Sequence, residues 1–266
     1  MSSKLNLSMI PAVLLLGLAA PAAATDVQGF AKGFITRPLG TAQGGAVSLL
    51  QSFYVRFEGT DHHFGRIEVV PNAPSISQIQ IGFADRNADD RYFYNHQLAP
   101  YTGTIFRRSS DIEFCGGHRP SCTYPIQAPP DRANWVFVLR GFDIAYRGGD
   151  HHLDQIAVFE RNGRLTVALN DQNDDDLTQF QVHYAYIPRS RFAVVSTRSG
   201  VDKEGKRVPI EAGTPVVRGF NLDFRSSDRH IRELGVRMGN ARLEVYYNDN
   251  SKDDPFAWNV EYGILR

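Results

Sequence analysis

The sequence predicts an all-β protein of three tandem repeats of about 75 residues, each with four to five antiparallel strands, packed together as sandwich-like modules. Three observations lead there. First, an alternating apolar strand recurs at fixed offsets: Phe53, Val55 and Phe57, then Phe142, Ile144 and Tyr146, then Phe220, Leu222 and Phe224. Each trio lies eight, six and four residues before an aspartate, namely Asp61, Asp150 or Asp228. Second, the same features follow each aspartate. A histidine stands two residues on (His63, His152, His230), an apolar pair six and eight residues on, and then an acidic loop. Third, no segment carries a sustained helical period with caps, whereas period-two runs bounded by Gly, Pro and Asn are frequent.

Residues 1–24 read as a secretory signal. Lys4 is their only charge, the apolar run from Met9 to Ala20 is too short to span a bilayer, and Ala22-Ala23-Ala24 offers a small-residue cleavage site. Residues 25–98 hold an N-terminal strand, with Gly29 to Ile35 read as one piece, and the first repeat. Residues 99–131 break the pattern with both cysteines and a run of prolines that includes Pro120, Pro125, Pro129 and Pro130, and read as an insertion or connection. The second repeat covers 132–188, where Gly141 is a candidate bulge and Asn162-Gly163 a hairpin turn. A connection and the third repeat fill 189–266, with Lys203 to Lys206 read as another hairpin-like turn.

Charge narrows the function classes. Lys plus Arg and Asp plus Glu both number 29, so no net field favours nucleic acid or an anionic membrane. No later stretch is long and apolar enough to be a membrane span. The two cysteines, Cys115 and Cys122, lie in a chain expected to be exported, periplasmic or secreted, and read as a disulfide closing a short loop. A Cys-His metal site with His118 is the sharper alternative, but the local sequence supplies no further ligand.

The acidic loops carry the strongest chemical signal. Asp171, Asn173, Asp175 and Asp176 place side-chain oxygens at loop positions 1, 3, 5 and 6; Asp85, Asn87, Asp89 and Asp90 do so in the first repeat, and the third supplies Asp249, Asn250, Ser251, Asp253 and Asp254. Hard oxygen donors in that pattern suit Ca²⁺, although no loop matches an EF-hand. The competing reading is a solvated or ion-paired turn. The Asp-x-His boxes (Asp61 with His63, Asp150 with His152, Asp228 with His230) suit a general base or a metal ligand, or else a turn that closes each strand. Because the box recurs in every repeat, the sequence alone favours the structural role.

Hydrolase and nucleotide-binding fingerprints are missing. The expectation is therefore an exported, non-enzymatic recognition protein for a glycan or an envelope or extracellular protein surface, with Ca²⁺ in its loops. A secreted hydrolase or lyase built on an Asp-His pair plus a nearby carboxylate is the alternative, and a structural envelope protein the second.

Overall fold

The structure, a computed structural model, describes residues 24–39, 46–59, 62–72, 77–85, 90–116, 121–147, 152–171, 177–203, 205–224, 230–249 and 255–266. The signal segment thus lies outside the described residues, apart from Ala24. The first third of the chain forms β1 (Thr25–Lys32), β2 (Phe34–Pro38), β3 (Val47–Phe57), β4 (Arg66–Pro71), β5 (Gln78–Ala84) and β6 (Arg91–Tyr101). The second forms β7 (Phe106–Ser109), β8 (Glu113–Cys115), β9 (Cys122–Pro125), β10 (Trp135–Tyr146), β11 (Gln155–Arg161), β12 (Arg164–Asn170) and β13 (Thr178–Pro188). The last forms β14 (Phe192–Asp202), β15 (Lys206–Pro209), β16 (Thr214–Phe224), β17 (Glu233–Gly239), β18 (Arg242–Asn248) and β19 (Phe256–Leu265).

These strands make three antiparallel sheets, ordered β1-β6-β3-β17-β18-β15, β2-β5-β4-β10-β13-β7 and β14-β19-β16-β11-β12-β9, with β8 also on β13. Each sheet mixes two parts of the chain. The long pair β3/β6 takes in the hairpin β17/β18, β10/β13 takes in β4/β5, and β16/β19 takes in β11/β12. One strand of each long pair, β10 or β16, is thereby hydrogen-bonded to a hairpin from the preceding third, or in the case of β3 from the last third, and the arrangement closes on itself.

The connections join this scheme. β1 and β2 are edge strands of two different sheets, as are β7 and β9, and β14 and β15. The stretch around 99–131 that reads as an interruption therefore does the same work as 25–38 and 192–209. Two readings of single turns change for this reason. Gly29 to Ile35 is not one strand: Gly33 sits at φ 56°, and the chain turns there from the first sheet into the second. Lys203 to Lys206 is no hairpin, because β14 pairs with β19 while β15 pairs with β18.

Local sequence explains the hairpins and bulges. Asn72, Asn162 and Asn240, each directly after a hairpin's first strand, have φ of 62°, 54° and 51°, the left-handed region that Asn tolerates. Asn162 is followed by Gly163 at φ 74°, as its dipeptide predicts. All three long pairs shift register at one place, between Leu50 and Ser52, Leu139 and Gly141, and Val217 and Gly219. The extra residues are Gln51, Arg140 and Arg218.

The core sits where the sheets meet. Phe53, Phe142 and Phe220 are almost completely buried, and their ring centroids lie 5.0, 4.8 and 5.3 Å apart. Their equal contact marks the axis about which the three thirds are arranged. Leu49, Val138 and Val216 extend an apolar cluster toward one end of the strands. Val55, Ile144 and Leu222, fully buried on the same strand faces as the phenylalanines, lead toward the other. Cys115 and Cys122 are bonded, with Cα atoms 5.7 Å apart. Since β8 belongs to the second sheet and β9 to the third, the bridge ties two sheets together. Among the described residues no helix is long and apolar enough to cross a membrane. A disulfide is compatible with export.

Candidate metal centre

The chain that leaves each long strand is held the same way three times. His63, His152 and His230 come ten residues after Phe53, Phe142 and Phe220. The next residue, Phe64, Leu153 or Ile231, is fully buried and anchors the backbone in the core. The residue after that is clamped on both sides. The carbonyls of Gly65, Asp154 and Arg232 accept hydrogen bonds from the amides of Tyr146, Phe224 and Phe57 at 2.9, 2.8 and 2.9 Å. Their own amides donate to the carbonyls of Ala84, Asn170 and Asn248 at 2.9, 2.8 and 3.0 Å. Tyr247 adds a bond from its hydroxyl to the Leu153 carbonyl at 3.3 Å, and its burial pushes that hydroxyl's pKa well up.

This clamp delivers the three imidazoles to one point. The ring centroids of His63, His152 and His230 are 4.6 Å apart in all three pairs, with interplanar angles of 71°, 49° and 60°. One ligand nitrogen from each ring lies within 4.8 Å of the other two, and all three residues are half-buried. A tetrahedral zinc ion with bonds of about 2.0–2.1 Å holds its nitrogens roughly 3.3 Å apart and its imidazole centroids roughly 5 Å apart. The ring bodies already stand near that separation. Closing the nitrogens from 4.8 Å or less requires at most about 1.5 Å of movement, which ring rotation can supply. The fully buried Phe64, Leu153 and Ile231 follow the three histidines directly in sequence.

The acidic loops start at this same end. Asp85, Asp171 and Asp249 each directly follow the second strand of a hairpin; Asp171 and Asp249 are buried, and Asp85 is half-buried. In the first repeat His62 lies between two carboxylates, its Nδ1 3.7 Å from Asp85 and 3.2 Å from Asp90. Its ring packs on Phe57 at 4.4 Å, and its backbone exchanges hydrogen bonds with Ile231 at 2.9 and 2.6 Å. These three side chains form a second cluster of potential ligands beside the histidine triad. The remaining loop residues read as cation ligands, Asn87, Asp89, Asn173, Asp175, Asp176, Asn250, Ser251, Asp253 and Asp254, lie outside the described residues, as do Asp61, Asp150 and Asp228.

Most aromatic residues that could have stacked on a ligand are buried. Tyr92, Tyr94, Tyr184, Tyr186, Tyr247, Tyr262 and Trp258 belong to the core, and Trp258 donates from Nε1 to Asp202 at 2.8 Å. Sequence reasoning found each histidine but not the convergence of all three. The usable signal was their identical offset from the phenylalanines that meet on the axis. No protein-family model matches the chain, and no curated protein matches it in sequence.

Proposed function

We propose that this protein is an exported, metal-dependent recognition protein. One divalent transition ion binds on the axis through His63, His152 and His230, and its outward coordination position takes a donor atom from a glycan or a protein surface. The observation that carries the reading is the mutual 4.6 Å approach of the three rings. Neutral imidazoles favour zinc, copper or nickel over calcium or magnesium. Holding three ligands in place by core packing and backbone hydrogen bonds lowers the entropy lost on binding. The same set, three imidazoles and an open position, also supports the hydrolytic alternative, since zinc so held activates water.

Stoichiometry tests the reading. Metal-stripped protein titrated with zinc should take up one ion per chain, and cobalt in its place should show the absorption of a tetrahedral nitrogen site. His152→Ala, checked for intact fold by circular dichroism, should lose both. Uptake by the variant equal to that of the parent would refute the axial site. Ca²⁺ in the acidic loops is the companion proposal, supported by the carboxylates of Asp85, Asp171 and Asp249 at corresponding strand ends. It predicts up to three oxygen-ligated ions, retained by His152→Ala, and higher melting in CaCl₂ than in MgCl₂ or EDTA at fixed ionic strength.

A further inference from the structure

The bulge recurs in all three sheets, and each sheet fills the same slot differently. Opposite the residue that follows the bulge stands Gln97 in the first sheet, His183 in the second and Glu261 in the third. The first slot is neutral: Gln51 donates to the Met238 carbonyl at 3.1 Å, and Ser52 to Gln97 at 3.2 Å. The third is charged and balanced: Arg218 stands 3.8 Å from Glu261, which also pairs with Arg161.

The second slot is charged and unbalanced. Arg140 is only 8 % exposed. Its Nη2 donates to Asn72 Oδ1 at 3.3 Å, while its Nε, sealed from water, has no hydrogen-bond partner among the described residues. Among the described residues no carboxylate pairs with it. His183 takes the place of the glutamate, and its Nδ1 is engaged with Ser109 Oγ at 2.6 Å. Arg107 lies two residues from Ser109 on β7, on the same face of the strand, and adds a second positive charge. Burying a guanidinium without an anion is costly, and the other two sheets show that this fold has two ways to avoid it.

We infer that the slot formed by Arg140, Arg107, Ser109 and His183 is a binding site for a small oxyanion, a phosphate or carboxylate group, which supplies the counter-charge that Glu261 supplies in the third sheet. The electrostatics agree. Burial, and secondarily the charge of Arg107, lowers the Arg140 pKa to about 10. Burial, and secondarily Arg140, lowers that of His183 to about 4. The charge of an entering anion opposes both shifts. The site lies outside the histidine triad and does not depend on metal.

The test is a titration of the purified protein with inorganic phosphate, with glycerol phosphate and with acetate. Chloride holds ionic strength constant, and binding is followed by calorimetry and by the His183 ring proton signals. Saturable binding with a shift of the His183 signals is expected. The order of the three probes tells a free ion from an esterified phosphate and from a carboxylate. Arg140→Gln copies the first sheet and should weaken binding by about 10- to 100-fold, the loss of one charged hydrogen-bonding group. His183→Glu copies the third sheet, should abolish binding by providing an internal counter-ion, and should raise the melting temperature. Should His183→Glu fail to fold, Arg140→Gln decides alone. Non-saturable binding, or equal binding in the parent and Arg140→Gln, overturns the proposal.

Discussion

His96 should make the fold acid-labile, and valine should cure it. The residue lies on the inner face of β6, fully buried, with neither ring nitrogen hydrogen-bonded among the described residues. Tyr94, Phe180 and Trp258 stand opposite Val55, Ile144 and Leu222. Two residues farther on, the three sheets carry His96, Val182 and Val260. Burial alone lowers the His96 pKa to about 3 from the ordinary 6.5. A depressed histidine pKa means that the unfolded chain binds the proton first. Stability is therefore complete above about pH 6.5 and falls progressively as the pH drops toward about 3. At about 1.4 kcal/mol per pH unit, this one ring withdraws about 3 kcal/mol between pH 6.5 and pH 4. In His96→Val, removal of two unpartnered polar atoms offsets lost ring packing at neutral pH, each effect being about 1–3 kcal/mol. The informative quantity is thus the pH dependence. Urea unfolding of metal-stripped protein at pH 7, 5.5 and 4 should show the parent losing about 3 kcal/mol more than His96→Val across that range. His183 acts in both proteins and cancels from the difference. Parallel stability curves would refute the argument.

Two further outcomes follow from single features of the chain. Ala241 occupies the second turn position after Asn240 at φ 56°, where the corresponding hairpin has Gly163. Ala241→Gly should therefore stabilise by about 0.5–1 kcal/mol, the left-handed strain relieved less the entropy glycine adds to the unfolded chain, as read from the urea midpoint. A lower midpoint would mean that the turn is not strained. Replacing both Cys115 and Cys122 by serine should cost about 2–3 kcal/mol by loop entropy. Amide exchange should quicken first in β7 to β9, where the second and third sheets join, and uniform loss of protection across all sheets would contradict that placement.

The long strands were legible because burial imposes a period of two on them, and their offsets from the Asp-x-His boxes are constant. The bulge beside Gly141 was legible because only glycine leaves room there for the Val69 carbonyl, 2.2 Å from where a Cβ would stand, and the turn at Asn162-Gly163 because its positive φ angles suit few residues. Other features are settled by partners far away in sequence. β4, β11 and β17 look like the second strand of a self-contained module, and nothing in their own residues says that each pairs with another part of the chain. The edge strands around 25–38, 106–125 and 192–209 share no visible motif, because an edge strand half-exposed to water needs only backbone hydrogen bonds and a few apolar contacts. Their equivalence is one of position alone.

The histidines show how threefold arrangement changes the inference from repetition. Three copies of a residue argue against a single site when the repeats lie in a row, since each copy then has its own surroundings. When the repeats close around an axis, a residue at one offset in each is carried either to three separate places on the periphery or to one place at the centre. Phe53, Phe142 and Phe220 already mark the centre by their mutual contact. His63, His152 and His230 meet at the end toward which the same strands run. Away from the axis the logic reverses, and a site arises where one copy departs from its counterparts. Glu261 pairs with Arg218 in the third sheet, whereas in the second His183 stands at that position and Arg140 has no carboxylate partner among the described residues. Identity on the axis assembles a ligand set from three weak contributors. Difference at the periphery leaves one buried charge for a ligand to complete. The two proposed sites call for different chemistry, a cation for the imidazole nitrogens on the axis and an anion for the guanidinium groups. His152→Ala should therefore leave phosphate binding intact, and Arg140→Gln should leave zinc binding intact. Loss of both activities in either single variant would show that one of the changes had unsettled the fold rather than a site.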